Sequence, residues 1–100
     1  MQMKEKDHNR KNKYRNMSMK ELKEAAKTLM PILRLGKNGI TEGVIDEIDI
    51  HLKKRSMIKI KLLGSFRENY DRRTISEEIA SRTKSKVVLQ VGGSLVLYRR

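Results

Sequence analysis

From Met17 onward the chain switches between helical and strand periodicity. Leu22, Ala25, Ala26, Leu29 and Met30 recur three and four apart, as one face of a helix does. Ser18 with Glu21 forms a capping box, and Met17 with Leu22 brackets it as a hydrophobic staple. Pro31 disfavours the helical conformation in the residue before it, so a helix is predicted from about Ser18 to Met30. Pro31 to Leu35 is short and apolar and reads as a strand. Thr41 offers the N-cap of a second helix reaching about Arg55, with Val44, Ile45, Ile48 and Leu52 as its inward stripe. Ile58-Lys59-Ile60-Lys61-Leu62 alternates apolar and basic, the pattern of a half-buried strand. Gly64 to Arg73 reads as a polar loop. Thr74 and Glu77 form a second capping box, predicting a helix to about Thr83 with Ile75, Ile79 and Ala80 inward. Lys86 to Val91 is a β-branched strand, Gly92-Gly93 a hairpin signal, and Leu95 to Tyr98 the returning strand.

The order is α-β-α-β-α-β-β. A right-handed crossover makes the first two strands parallel, and the final hairpin is antiparallel. The expected fold is an α/β (α+β two-layer) sandwich, a four-stranded mixed sheet with packed helices. One domain is expected over residues 17–100. Met1 to Asn16 shows no apolar periodicity and carries six Lys/Arg against two acids, so it reads as a basic mobile arm. Such an arm can lie along phosphates or simply be a solvated tail.

Charge narrows the function. The 100 residues carry 24 Lys+Arg against 12 Asp+Glu, a formal charge of +12. An excess of this size points to an anionic polymer or surface. The absence of cysteine excludes a disulfide framework or thiolate chemistry. No apolar run reaches the roughly 20 residues of a membrane helix, and the basic start lacks the apolar segment of a signal peptide. These features lead to an expectation of a cytoplasmic protein that does not enter a membrane.

The candidate chemistry centres on Leu35-Gly36-Lys37-Asn38-Gly39-Ile40-Thr41, a glycine loop between a strand and a helix start. Helix starts have free amides and a positive dipole end, and glycine lets a ligand approach the main chain. A Walker loop and a dinucleotide fingerprint are both absent. A G-x-x-G loop that clamps a nucleic-acid backbone, as in KH domains, remains, against the plainer reading of a turn with no ligand. Arg34 and Lys37 are candidate phosphate contacts. Lys59 and Lys61 share a strand face on which RNA can lie, or are solvated lysines. Phe66 and Tyr70 are read as packing at the sheet margin, with base stacking as the alternative. Glu42, Asp46 and Asp49 have helical spacing for Mg²⁺ but read better as a solvated acidic face. His8 lies in the arm and His51 beside the second helix's stripe. No catalytic set, metal site or cofactor site is expected.

The block from Leu35 through Ile45 resembles the signature of the CRM (chloroplast RNA splicing and ribosome maturation) domain, whose single-domain members are called YhbY-like. The likeness continues at Leu52, at Ile58-Lys59-Ile60-Lys61 and at Val91-Gly92-Gly93-Ser94-Leu95-Val96-Leu97-Tyr98-Arg99, and so spans Ser18 to Arg100. It implies an RNA-binding domain similar in fold to the C-terminal domain of bacterial translation initiation factor three. Single-domain members are associated with maturing large ribosomal subunits, and multi-copy plant members with intron splicing. Lys37 supplies the basic middle residue of the family loop, whereas Asn38 is less basic than some relatives have there.

The residues expected to meet RNA are Arg34, Gly36, Lys37, Asn38, Gly39, Thr41, Lys59, Lys61, Arg99 and Arg100. The expected partner is ribosomal RNA or a pre-ribosomal particle, met by a monomer. The alternatives are a ribosome-associated protein that binds mainly proteins, and a basic DNA-binding module.

Overall fold

The structure, a computed structural model, describes residues 13–100. Its elements are α1 (Met19–Lys27), β1 (Pro31–Leu35), α2 (Glu42–Arg55), β2 (Met57–Leu62), α3 (Gly64–Asn69), α4 (Arg72–Arg82), β3 (Lys86–Val91) and β4 (Ser94–Tyr98). One mixed sheet runs in the order β1-β2-β4-β3. β1 and β2 are parallel, and the β2–β4 and β3–β4 pairs are antiparallel. The expected fold class and strand directions are those observed.

Local chemistry accounts for most boundaries. Ser18 Oγ accepts from the Glu21 amide at 3.2 Å, and Glu21 Oε1 accepts from the Ser18 amide at 2.8 Å, closing the capping box of α1. That helix ends at Lys27, short of the expected Met30. The Thr28 hydroxyl turns back to donate to Ala25 O at 3.0 Å, and the next residues straighten toward Pro31. Thr41 Oγ1 accepts from the Val44 amide at 3.1 Å and starts α2. Ser56, at φ 66°, caps its end and turns the chain directly into β2.

Two expectations are corrected between residues 64 and 77. The expected loop contains the short helix α3, whose N-cap position, Leu63, provides no side-chain cap. A start signal is therefore missing from the sequence. Burial of Phe66, fully excluded from solvent, holds α3 to the sheet. Helix α4 is capped by Asp71, ahead of its first residue Arg72, and not by Thr74. The Asp71 carboxylate accepts from the Thr74 amide at 3.0 Å and from its hydroxyl at 2.8 Å. A carboxylate at an N-cap gains both the hydrogen bond and the dipole, so it wins over the later Thr. The same amide bond to Thr74 holds the Asp71 carboxyl below its usual pKa.

The central strands have two different faces. Ile58, Ile60 and Leu62 of β2, with Leu95 and Leu97 of β4, pack against Ile48 and Leu52 of α2, Phe66 of α3, and Ile75 and Ile79 of α4. On the reverse face, Met57, Val88, Val96 and Tyr98 pack against Leu22 and Ala26 of α1. The sandwich thus gains α1 as a partial further layer.

Tyr14 joins this reverse cluster. It is 8% exposed, with its ring edge-on to Tyr98 at a centroid distance of 6.4 Å. The expected arm is therefore docked at its last few residues. Positions 1–12 of it, His8 included, lie outside the described residues. A single aromatic anchor leaves no periodicity, which is why the sequence pattern did not reveal it.

Arg99, expected on the RNA surface, is instead held within the fold. Its side chain is 18% exposed. Nη1 donates to Asp49 Oδ1 at 2.6 Å and to Thr83 O at 2.8 Å, while Nη2 donates to Asp49 O at 3.1 Å. One guanidinium ties the end of β4 to α2 and to the cap of α4. Its hydrogen bond also lowers the Asp49 carboxyl pKa, with Lys53 assisting.

Removing residues 1–12 should leave the melting temperature close to that of the full chain, whereas removing residues 1–16 deletes Tyr14. Loss of a buried aromatic should cost about 2 kcal/mol or more, a drop on the order of 10 °C for a domain this size. Equal melting temperatures for the two truncations would contradict this. A depressed carboxylate pKa contributes stability above the ordinary value and loses it as pH falls through the folded value. Asp49→Asn should therefore flatten the loss of stability below pH 3.8, measured as melting temperature against pH. An acid limb as steep as the parent's would rule out that role.

Candidate nucleic-acid interface

The glycine segment is a tight turn. The Gly39 amide donates to Gly36 O at 3.1 Å, which projects Lys37 and Asn38 into solvent. Behind the turn, the Leu63 amide donates to Leu35 O at 2.8 Å and ties it to the start of α3. The two glycines differ. A Cβ at Gly36 would make ordinary contacts, 3.6 Å to Leu63 and 3.7 Å to Ser65. Gly39 is buried at φ +69°, and a Cβ there would fall 2.7 Å from the Tyr70 hydroxyl. Gly39 is thus required by backbone conformation and by the packing of Tyr70. Its expected role of admitting a phosphate is not needed to explain it.

Tyr70 braces the turn and is itself braced. Its ring lies 4.8 Å from that of Phe66, tilted by 33°. Phe66 is fully buried and has no face to offer a base, so packing is its role. Tyr70 remains 38% exposed. The signal in the sequence was their four-residue spacing, which lets one aromatic support the next.

At the start of α2, Thr41 is engaged as the cap, and Glu42 pairs with Arg82 of α4. Asp49 is engaged by Arg99 and Lys53. Among the described residues no group of three His, Cys, Asp or Glu is placed to hold a metal ion.

The sheet adds a basic row beside the turn. Leu33 and Leu35 face the main core, so Arg34 between them points to the reverse face. Arg34 is the register partner of Lys61, whose other neighbour is Ser94. Adjacent strands lie about 4.8 Å apart, so two exposed cations stand side by side. Lys59, on the same face of β2, is half-buried. Helix α1 covers this face near Met57 and Tyr98 and leaves the Arg34–Lys61 end open. Among the described residues, Arg34, Lys37, Lys59 and Lys61 have no ion-pair partner. Of the ten residues singled out from the sequence, Arg34, Lys37, Asn38 and Lys61 are exposed, with Arg34 and Lys61 side by side near the end of β1 from which the turn departs; Gly36 and Lys59 are half-buried. Gly39 and Thr41 lie within the turn and the cap. Arg100, though exposed, follows the opposite end of β4 next to the internal Arg99.

A family model described as the CRS1 / YhbY (CRM) domain matches residues 15–99. An RNA-binding protein of Haemophilus influenzae is 42% identical over 78 residues, covering 78% of this chain and 77% of that protein. A protein of Pseudomonas aeruginosa named a probable RNA-binding protein is 33% identical over 81 residues, covering 81% and 76%. The solution structure of a hypothetical protein from Staphylococcus aureus matches with a TM-score of 0.70 at 31% identity, covering 82% of this chain and 83% of that one. With the family model spanning nearly all the described residues, this chain belongs to the CRS1/YhbY (CRM) domain family.

Proposed function

We propose that this protein binds RNA, with Lys37 and Asn38 on the glycine turn and Arg34, Lys59 and Lys61 on the open sheet face meeting its phosphates. The observation that carries the reading is the Arg34–Lys61 pair. Like charges side by side on a sheet are destabilising, and among the described residues no acid forms an ion pair with either. A polyanion laid across the turn and the row removes that repulsion and releases counterions. The names of the relatives support RNA as the polyanion. The fuller reading is a monomer acting in the cytoplasm on ribosomal RNA during large-subunit assembly. Crosslinking in its own cells and sequencing the attached nucleic acid tests it. Enrichment of large-subunit ribosomal RNA supports this reading. Ribosomal proteins without RNA, or broad genomic DNA, would replace it.

Lys37 is the best single probe of the turn, because its side chain is exposed and supports nothing else. Lys37→Ala should weaken RNA binding and lower the slope of log affinity against log salt by roughly 0.7 to 0.9. Combined replacement of Arg34 and Lys61 by Ala should lower it by about twice that. Unchanged affinity and slope in all of these variants, with normal melting, would move the binding surface elsewhere. Gly39 variants report on the fold instead. Gly39→Ala should cost about 1–2 kcal/mol from its positive φ alone, before any displacement of Tyr70. A Gly39→Ala protein that melts like the parent would show that Tyr70 does not brace the turn.

A further inference from the structure

At the end of the sheet away from the glycine turn there is a second basic surface. Here α2 ends, Ser56 turns the chain and β2 begins. A cavity of about 390 Å³ opens at this corner, lined by Lys13, Tyr14, Leu29, Lys54, Arg55 and Met57. Its volume lies within the range of small-molecule sites. Tyr14 and Met57 are buried and Leu29 half-buried, giving an apolar floor. Lys13, Lys54 and Arg55 are exposed and form the rim, with Lys13 Nζ 5.6 Å from the centre of the Tyr14 ring. Among the described residues no carboxylate lines the cavity and none of the three cations has an ion-pair partner. Bases at a helix C-terminus suit its dipole, which accounts for Lys54 and Arg55 alone. It does not account for a cavity with an apolar floor beneath them.

We propose that this corner is a second contact for single-stranded RNA. One base enters the cavity against the half-buried Leu29, above Met57, and the flanking phosphates meet Lys54, Arg55 and Lys13. The proposal rests on the RNA-binding reading above. Charge complementarity selects the occupant: three unpaired cations around an apolar floor suit a group that is flat and apolar at one end and anionic at the other. The sheet supplies the path. Beyond the part of the face that α1 covers, Lys59 and Lys61 on one face of β2 lead toward Arg34 and the turn. The five residues of β1 span on the order of 13 Å, about four stacked nucleotide steps of 3.4 Å. One strand of RNA can therefore reach both ends.

The test uses the full chain labelled with ¹³C at the methionine methyls, titrated with decaadenylate, with a glutamate-rich peptide as the control anion. The proposal requires two results together. The Met57 methyl should shift upfield on adding decaadenylate, from the ring current of an inserted base. The Lys54→Ala/Arg55→Ala protein, shown to melt like the parent, should bind the oligonucleotide about ten-fold more weakly, with the salt slope reduced by roughly 1.4 to 1.8. If affinity falls while the Met57 methyl stays still, the cations touch phosphates only and the cavity is overturned as a site. A shift of Met57 with the peptide but not with RNA assigns the corner to an acidic protein and also overturns it. When Lys37→Ala weakens binding but neither corner readout moves, the RNA reading stands and the second contact falls. A parent that binds no RNA ends both. Should the double variant unfold, the Met57 shift in the parent and the affinity of Lys13→Ala decide the question.

Discussion

Strand β2 sits between β1 and β4, and the fold depends on its two faces having opposite chemistry. Ile58, Ile60 and Leu62 are all but excluded from water and join the sheet to three helices. A one-residue slip of this strand would bury Lys59 and Lys61 and expose the three apolar residues, so the register is strongly fixed. The reverse face is graded along its length. Met57 lies under the cluster of α1 and Tyr14, Lys59 is half-buried, and Lys61 is open. The strand that specifies the core thus also sets out the cations of the proposed RNA surface.

The glycine turn is rigid for reasons that lie outside it. Its own hydrogen bond, from Gly39 to Gly36, closes only four residues. What fixes it in place is the stack beneath: Phe66 in the core, Tyr70 on Phe66, and Gly39 against the Tyr70 hydroxyl. A turn braced in this way would meet the phosphate of the proposed function already ordered, which lowers the entropy cost of binding.

The placement of the acids decides which cations stay free. Glu42 is held by Arg82, Asp49 by Arg99 and Lys53, and Asp71 by the start of α4. These carboxylates are engaged in the helix layer on one side of the sheet. None is paired with Arg34, Lys37, Lys54, Arg55, Lys59 or Lys61. The cations at the turn, the open face and the far corner are thereby left without ion-pair partners among the described residues.

The sequence by itself determined the elements whose signals are local. The Ser18–Glu21 box, the Thr41 cap, the alternation in β2 and the Gly92-Gly93 hairpin each depend on residues a few positions apart, and each is present in the structure. From them the order of elements along the chain, the parallel pair and the antiparallel hairpin could be read, whereas the placement of β4 beside β2 could not. Only the tertiary structure decided the rest, because the groups involved are far apart in the chain. Tyr14 meets Tyr98 across 84 residues, and Arg99 meets Asp49 across 50. Helix α3 has no cap signal and exists because Phe66 is buried. Arg99 and Arg100 look alike as neighbouring basic residues at the end of a strand. One is drawn inward by a carboxylate and two carbonyl oxygens and the other is left in water, and nothing within several residues of either distinguishes them.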